Sequence, residues 1–528
     1  MSGAAARGPE ADRMALTVAS EHILDGRTLT LDVIEDIAVR GARVSIAPAA
    51  RERVAAARAS VERQYALGAI IYGVTTGFGR MANVAIDRAD TARLQLNLVR
   101  SHAAGTGAPL PDAQVRAAGV LRASSLAAGH SGIKLETLDL LCELLNRGVT
   151  PVVPCQGSVG ASGDLAPLAH MTLTLIGEGE ATFAGERLAS AEALRRAGLV
   201  PIELAAKEGL SLVNGTEVMT GIAALSIMRA ERLIAAADVI GAMSLEAFLG
   251  TDRVFDPRIN ALRPHPGQAR VADNLRALLA NSEIMLSHRE CGRVQDPYSF
   301  RCIPVVHGAV RDAAAHARRV VEIEAISVTD NPLVFADRDE FLTGGNFHGQ
   351  PVALVSDFLK IAMVELASIS ERRLYLLLNA DERGLPLFLA RRPGLESGLM
   401  LVQYASASLV SESKALAHPN SVDSIPTSAG QEDHVSMGTI AARNLSTVLD
   451  NVEGALACEL LAALAATDFR RPLRAGAGTG AAYVRAREVI AELLTDRSPA
   501  PDIAAARELL RDGTLVAAAQ SASGAALP

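Results

Sequence analysis

The sequence predicts a mainly α protein, with a core of long bundled helices and an N-terminal mixed domain that carries a glycine-rich loop. Three observations carry this reading. Apolar runs rich in Ala and Leu recur at Val218 to Gly250, Val352 to Asn379 and Met437 to Phe469, each too long for a strand and apolar on more than one face, as in helix bundles. Aromatic residues make up only 3% of the chain and Trp is absent, which suits closely packed helices better than a sheet of aromatic and β-branched residues. Before Gly157 the pattern changes. TVASEHILDG and DIAVRGARVSIAP are short and turn-rich, whereas ARERVAAARASVERQYALG and VRAAGVLRASSLAAGH read as helices. The chain therefore divides into a disordered extension over residues 1–15, an N-terminal domain over 16–219 and a helical core with its C-terminal helices over 220–528.

Composition narrows the function. At 528 residues the chain can bury a large core. With 51 Lys plus Arg against 59 Asp plus Glu, a net charge of −8 and no basic block, nucleic acid is not an expected partner. The run from Val218 to Gly250 is broken by Arg229, Glu231, Arg232 and Asp238, charges that hydrocarbon would penalise, so it reads as a buried helix and no membrane partner is expected. Cys142, Cys155, Cys291, Cys302 and Cys458 are odd in number, scattered and without a C-x-x-C pair. They read as reduced thiols of a cytoplasmic protein, with no disulfide frame and no metal site. The opening MSGAAARGPEADRMALTV has no apolar stretch of the secretory kind.

The densest local signal is GSVGASGDLAPLAH, residues 157 to 170. Gly157, Gly160 and Gly163 let the backbone bend tightly or approach a neighbour closely around Ser162. A plain structural turn would suffice for most such clusters. The G-x-x-G-x-x-G order lacks the dinucleotide-binding spacing, and no serine of the chain sits in G-x-S-x-G. One chemistry uses all of Ala161, Ser162 and Gly163. In a compressed loop the unhindered amide nitrogen of Gly163 attacks the Ala161 carbonyl carbon, water is lost, and elimination of the Ser162 hydroxyl leaves an exocyclic methylene. The product, 4-methylidene-imidazol-5-one, is an electrophile made without an external cofactor.

Seven further motifs accompany that loop: YGVTTGFG from Tyr72, LVRSHAAGTG from Leu98, SLVNGT from Ser211, QDPYSFRC from Gln295, TDNPLVF from Thr329, GGNFHGQP from Gly344 and SESKALAHPNSVDSIPTSAGQEDHVSM from Ser411. In this order they resemble the aromatic amino acid ammonia-lyase family over almost the whole chain from about residue 17. The resemblance implies non-oxidative elimination of ammonia from an aromatic amino acid, a small-molecule substrate, in a homotetramer whose active sites are shared between subunits. It implies Tyr72 as the base for the β-proton, with Tyr298 supporting it and Asp164 assisting cyclisation. Arg301 is matched to the carboxylate clamp, for which a planar guanidinium is well shaped. Asn214, Asn346, Phe347 and Gln431 are matched to supporting positions around the substrate and the prosthetic group.

His102 and Glu412 are matched to positions facing the substrate side chain. A carboxylate can satisfy an imidazole nitrogen, whereas a phenyl ring would leave it buried and unpaired, so Glu412 favours histidine over tyrosine or phenylalanine. The pattern departs from the family at Thr75, Ser413, Gly430 and Ile326. Tyrosine or phenylalanine elimination, transfer of the amine to the β-carbon, and an inactive helical scaffold are the other readings. Ser162→Ala separates the prosthetic-group chemistry from a plain turn. The variant is expected to fold, to keep the two water masses that the wild-type chain loses on maturation, and to have almost no turnover. Normal turnover by Ser162→Ala would overturn the chemistry.

Overall fold

A computed structural model describes residues 20–527; the expected disordered extension over 1–15 lies outside them. Among the described residues helices dominate, and every strand is four residues or shorter. The elements that position the loop are α1 (Thr91–His102), α2 (Asp112–Ala127), α3 (Leu165–Leu175), α4 (Glu208–Val213), α5 (Glu217–Ala247), α6 (Ile303–Ala325), α7 (Gln350–Leu377), α8 (Met400–Leu416) and α9 (Gly438–Asp468). The three long apolar runs are thus α5, α7 and α9. The short N-terminal segments pair as parallel strands Glu21–Leu24 and Arg43–Ile46. One contiguous apolar core runs from Leu24 to Leu527, and the 219/220 division falls inside α5.

The long helices are apolar nearly all round because they are enclosed nearly all round. Along α5, Ile222, Ala223, Ile227, Leu233, Ala236 and Ile240 are all buried. The charges that interrupt this helix are each matched by a neighbour. Arg229 reaches Asp450 and Glu453 of α9, Glu231 meets Arg318 of α6, and Arg232 meets Glu35. No helix among the described residues is long and apolar enough to cross a membrane.

A chain of buried polar groups crosses the bundle, linking α5, α6, α7 and α9. The Asp238 carboxylate of α5 accepts from His307 Nδ1 at 2.9 Å and from Arg311 at 2.9 Å. Arg373 of α7 faces His307 Nε2 at 3.2 Å and grips both oxygens of Glu459 of α9, at 2.6 and 2.8 Å. Burial holds the His307 imidazole below its ordinary pKa, and a neutral ring fits its place between a guanidinium donor and a carboxylate acceptor.

Arg373 and Glu459 are both fully buried, so removing one leaves the other charge unpaired in a medium that solvates it poorly. Glu459→Ala should therefore lower stability by about 3–5 kcal/mol, read as a fall in the urea midpoint of unfolding. An unchanged midpoint would show that the pair does not hold the bundle.

Candidate active site

Residues 157 to 164 form a loop that ends at the first turn of α3 and is gripped from two sides. On one side the turn joining α4 to α5 lies alongside it. Gly163 bridges Gly215 in parallel fashion, and the Asp164 N–H donates to the Gly215 carbonyl at 2.7 Å. On the other side Met437 N–H donates to the Val159 carbonyl at 2.9 Å, and the Ser436 hydroxyl donates to the Gly160 carbonyl at 3.1 Å. Two glycines are required by these contacts. A Cβ on Gly160 would run into the Ser436 hydroxyl, and one on Gly163 into the Gly215 carbonyl; both residues have positive φ, 69° and 73°. Met437 itself is held at φ 55°, a strained backbone for a residue with a side chain.

Asp164 is the buried charge at the centre. Its Oδ2 accepts the Met219 N–H at 2.8 Å in the first turn of α5, and its Oδ1 accepts the Thr439 hydroxyl in the first turn of α9. Burial pushes its carboxyl up to about 6, against the lowering pull of the Thr439 and Met219 hydrogen bonds. Ala161 and Gly163 are buried beside it, while Ser162 is half-buried and its hydroxyl donates to Glu432 at 3.2 Å.

An open pocket of about 260 Å3 lies over the loop, lined by Ser101, His102, Ala161, Gly163, Thr427 and Glu432, among others. Burial lowers the pKa of His102, at the end of α1, while the Glu432 carboxylate pulls it the other way. Glu432 is itself fixed: its Oε2 accepts the Thr427 hydroxyl at 2.6 Å, and its carbonyl accepts the Thr427 N–H at 2.9 Å. A larger cavity of about 520 Å3 lies by Arg253, His288 and Asp296, away from these groups.

The remaining sequence-predicted residues divide. Asn214 is buried at the start of the turn that grips the loop, and its Oδ1 has no hydrogen-bond partner. The GGNFHGQP segment packs on the 434–438 turn: His348 Nε2 lies 3.2 Å from the His434 carbonyl oxygen, and a Cβ on Gly349 would meet Met219. Asn346 in that segment is exposed and donates to the Val328 carbonyl at 3.3 Å, and Phe347 is half-buried. The Tyr72 hydroxyl accepts the Gly79 N–H at 2.9 Å, and Gly79 abuts Ser428, so YGVTTGFG reaches the Thr427 to Glu432 segment. Gln431 is exposed there, and Gly430 has φ 82°, where the left-handed backbone favours glycine.

Of the sequence-predicted site residues, His102, Ala161 and Gly163 line the pocket of their own chain; Tyr72, Asn214, Asn346, Phe347 and Gln431 lie on segments packed around the loop without lining it, and Tyr298, Arg301 and Glu412 lie on neither. Tyr298 is 71% exposed, and the Arg301 guanidinium stacks 4.6 Å over its ring. The turn that bears them is anchored by Phe300, fully buried and stacked on Phe248 with centroids 4.3 Å apart. Glu412 is exposed on α8, where its neighbour Ser413 is buried and donates back to the Leu409 carbonyl. The carboxylate that this chain brings to Ser162 is Glu432, which sequence reasoning quoted within its motif and did not single out. Both glutamates lie in that one motif, and only the fold separates them.

Residues 29–488 match the model of a family described as aromatic amino acid lyase. The chain belongs to the aromatic amino acid lyase family. Among relatives of this lyase, a histidine ammonia-lyase of Sorangium cellulosum is 56% identical over 511 residues, covering 95% of this chain and 99% of its own. A histidine ammonia-lyase structure from Trypanosoma cruzi superposes with a TM-score of 0.88 at 40% identity, covering 95% of each chain. A tyrosine aminomutase from Streptomyces globisporus does so with 0.89 at 37% identity, covering 97% of this chain and 100% of its own. Two chemistries thus share this lyase fold, and the residues of the site decide between them.

The raised pKa of Asp164 gives a signed pH dependence. A carboxyl that protonates more readily folded than unfolded contributes stability that is complete below its ordinary pKa of 3.8 and lost as pH rises through about 6. Asp164→Asn cannot titrate. The Tm difference between variant and wild type should therefore move in favour of the variant between pH 4 and about 6 and level off above. A difference that does not change with pH would show that Asp164 titrates normally.

Proposed function

We propose that this chain is an ammonia-lyase that converts L-histidine to trans-urocanate and ammonia, working in the cytoplasm as a homotetramer. The observation that carries the substrate assignment is the placement of His102 and Glu432 on the lining of one pocket, where Glu432 accepts the Ser162 hydroxyl. The strong likeness over nearly the full chain to a histidine ammonia-lyase supports it.

The loop fits a 4-methylidene-imidazol-5-one formed from Ala161, Ser162 and Gly163. Gly163 lies where no Cβ is tolerated, Ala161 is small and buried, the Ser162 hydroxyl points to an acceptor, and the adjacent turn holds an unsatisfied Asn214 Oδ1. When formed, that group supplies an electrophilic methylene that turns a poor amine leaving group into a better one. The protein's own residues do the rest.

Tyr72, its oxygen held by the Gly79 amide, removes the β-proton, and Tyr298 supports that transfer. Arg301 has no ion-pair partner among the described residues, which leaves its planar fork to bind the substrate carboxylate. Asn214, Asn346, Phe347 and Gln431 orient the substrate around the loop. Glu432 and His102 hydrogen-bond the imidazole, which gives Glu432 the selecting role first matched to Glu412.

Tyr298 and Arg301 stand outside their own chain's pocket, so on this reading a second subunit delivers them. An unpartnered apolar surface supports such assembly: Leu354, Phe358 and Ile361 of α7 and Leu401 and Tyr404 of α8 are exposed, a costly state for a lone subunit. The free cysteines fit a reducing compartment.

Glu432→Gln keeps shape and loses the carboxylate, so kcat/KM for histidine should fall on the order of a hundredfold while that for phenylalanine falls far less. Glu412→Gln should change both by less than about threefold. Rates for histidine, tyrosine and phenylalanine, with product analysis for urocanate against a β-amino acid, check this. A wild type that prefers tyrosine, or yields the β-amino acid, would overturn the assignment.

A further inference from the structure

The loop is gripped by the Gly215 turn, and that turn has its own brace. Arg122 of α2 and Glu217, the first residue of α5, are both buried. Arg122 Nη1 donates to Glu217 Oε1 at 2.6 Å, and Nη2 donates to the carbonyl of Ser211 in α4. One guanidinium thus bridges the end of α4 and the start of α5 across the intervening turn, Asn214 to Thr216. A third contact closes the frame, because the Thr329 hydroxyl donates to Glu217 at 3.3 Å and accepts the Thr216 N–H at 3.3 Å.

Gly215 is pressed between this frame and the loop. A Cβ at 215 would meet Glu217 Oε2, Arg122 Nη1 and Thr329 Oγ1, while its carbonyl faces the space a Cβ of Gly163 would fill. Gly215 is therefore enclosed by the ion pair at its Cα and by Gly163 at its carbonyl. Glu217 Oε2 has no hydrogen-bond partner, so the geometry does not maximise the satisfaction of this carboxylate. Buried ion pairs are often replaceable by apolar residues without loss of stability, which leaves positional precision as a reason for one here.

We propose that Arg122 and Glu217 are positioning residues for the self-modification of the 161–163 loop, acting through the Gly215 carbonyl. The proposal rests on the reading that this loop cyclises. In the first step the Gly163 nitrogen bonds to the Ala161 carbonyl carbon. The carbonyl oxygen leaves as water with the amide protons of Gly163 and Ser162, and a C=N bond remains. In the second step the Ser162 Cα proton and hydroxyl leave as a second water and a C=C bond forms; no oxidant or reductant enters. Ring closure needs nitrogen and carbon held inside van der Waals contact, and its rate depends steeply on how firmly the loop is confined.

The test is intact mass of the full-length chain against time after synthesis, alongside circular dichroism and size-exclusion chromatography. The double variant Arg122→Met with Glu217→Met removes both charges and puts two flexible apolar side chains in their place. It is expected to fold and assemble as the wild type does, while the dehydrated form accumulates at least tenfold more slowly. Glu217→Gln keeps the shape and one hydrogen bond, and a smaller slowing of several-fold is expected. A folded double variant that loses both waters at the wild-type rate overturns the proposal. If the double variant does not fold, a wild-type rate of water loss in Glu217→Gln overturns it. A wild-type chain that retains both waters overturns the loop reading and this proposal with it.

Discussion

The architecture turns on one buried carboxylate. Asp164 sits at the N-terminus of α3, accepts a backbone N–H from the first turn of α5 and a hydroxyl from the first turn of α9. Three helix starts thus converge on a single acidic side chain, where the partial positive charge of unsatisfied N–H groups favours it. Burial works against its ionisation, and the outcome is a carboxyl raised to about 6. The residues just before it, Ala161 to Gly163, inherit their position from this junction.

Around that point the fold supplies rigidity by enclosing long helices rather than by extended sheet. The charges along α5 fix its rotation and its register against α6 and α9, since each must meet a partner at a set height. The chain Glu459, Arg373, His307, Asp238 does the same across the bundle. Apolar packing alone would tolerate sliding of Ala-rich surfaces past one another, and buried polar contacts do not. A loop confined on both sides to within hydrogen-bond distance needs walls of that kind.

The pocket in a single chain is open. It holds the loop, His102 and Glu432, while the guanidinium and phenol of the QDPYSFRC motif lie on an exposed turn anchored elsewhere by Phe300. The Arg301 guanidinium lies against the aromatic face of Tyr298 and has no ion-pair partner among the described residues. On the proposed assembly, a second subunit would close this pocket and bring its own Arg301 to it.

The helical class and the three long helices were legible in the sequence because each is a local matter. Helix period and composition lie within a window of a few turns, and the chemistry proposed for the loop likewise rests on three adjacent residues, Ala161 to Gly163. The charges along α5, which argue in the sequence for a buried helix, find partners on α9 and α6 in the structure. Within a motif, however, the sequence does not say which side chain faces the loop. Glu412 and Glu432 stand in one motif with the same chemistry. Only the tertiary structure put Glu432 beside Ser162, 270 residues away, and left Glu412 on the exposed face of α8. The Arg122 and Glu217 brace, 95 residues apart, was equally invisible. The physical reason is the same in both cases: a contact between distant residues depends on how whole helices dock, and no local pattern of residues encodes it.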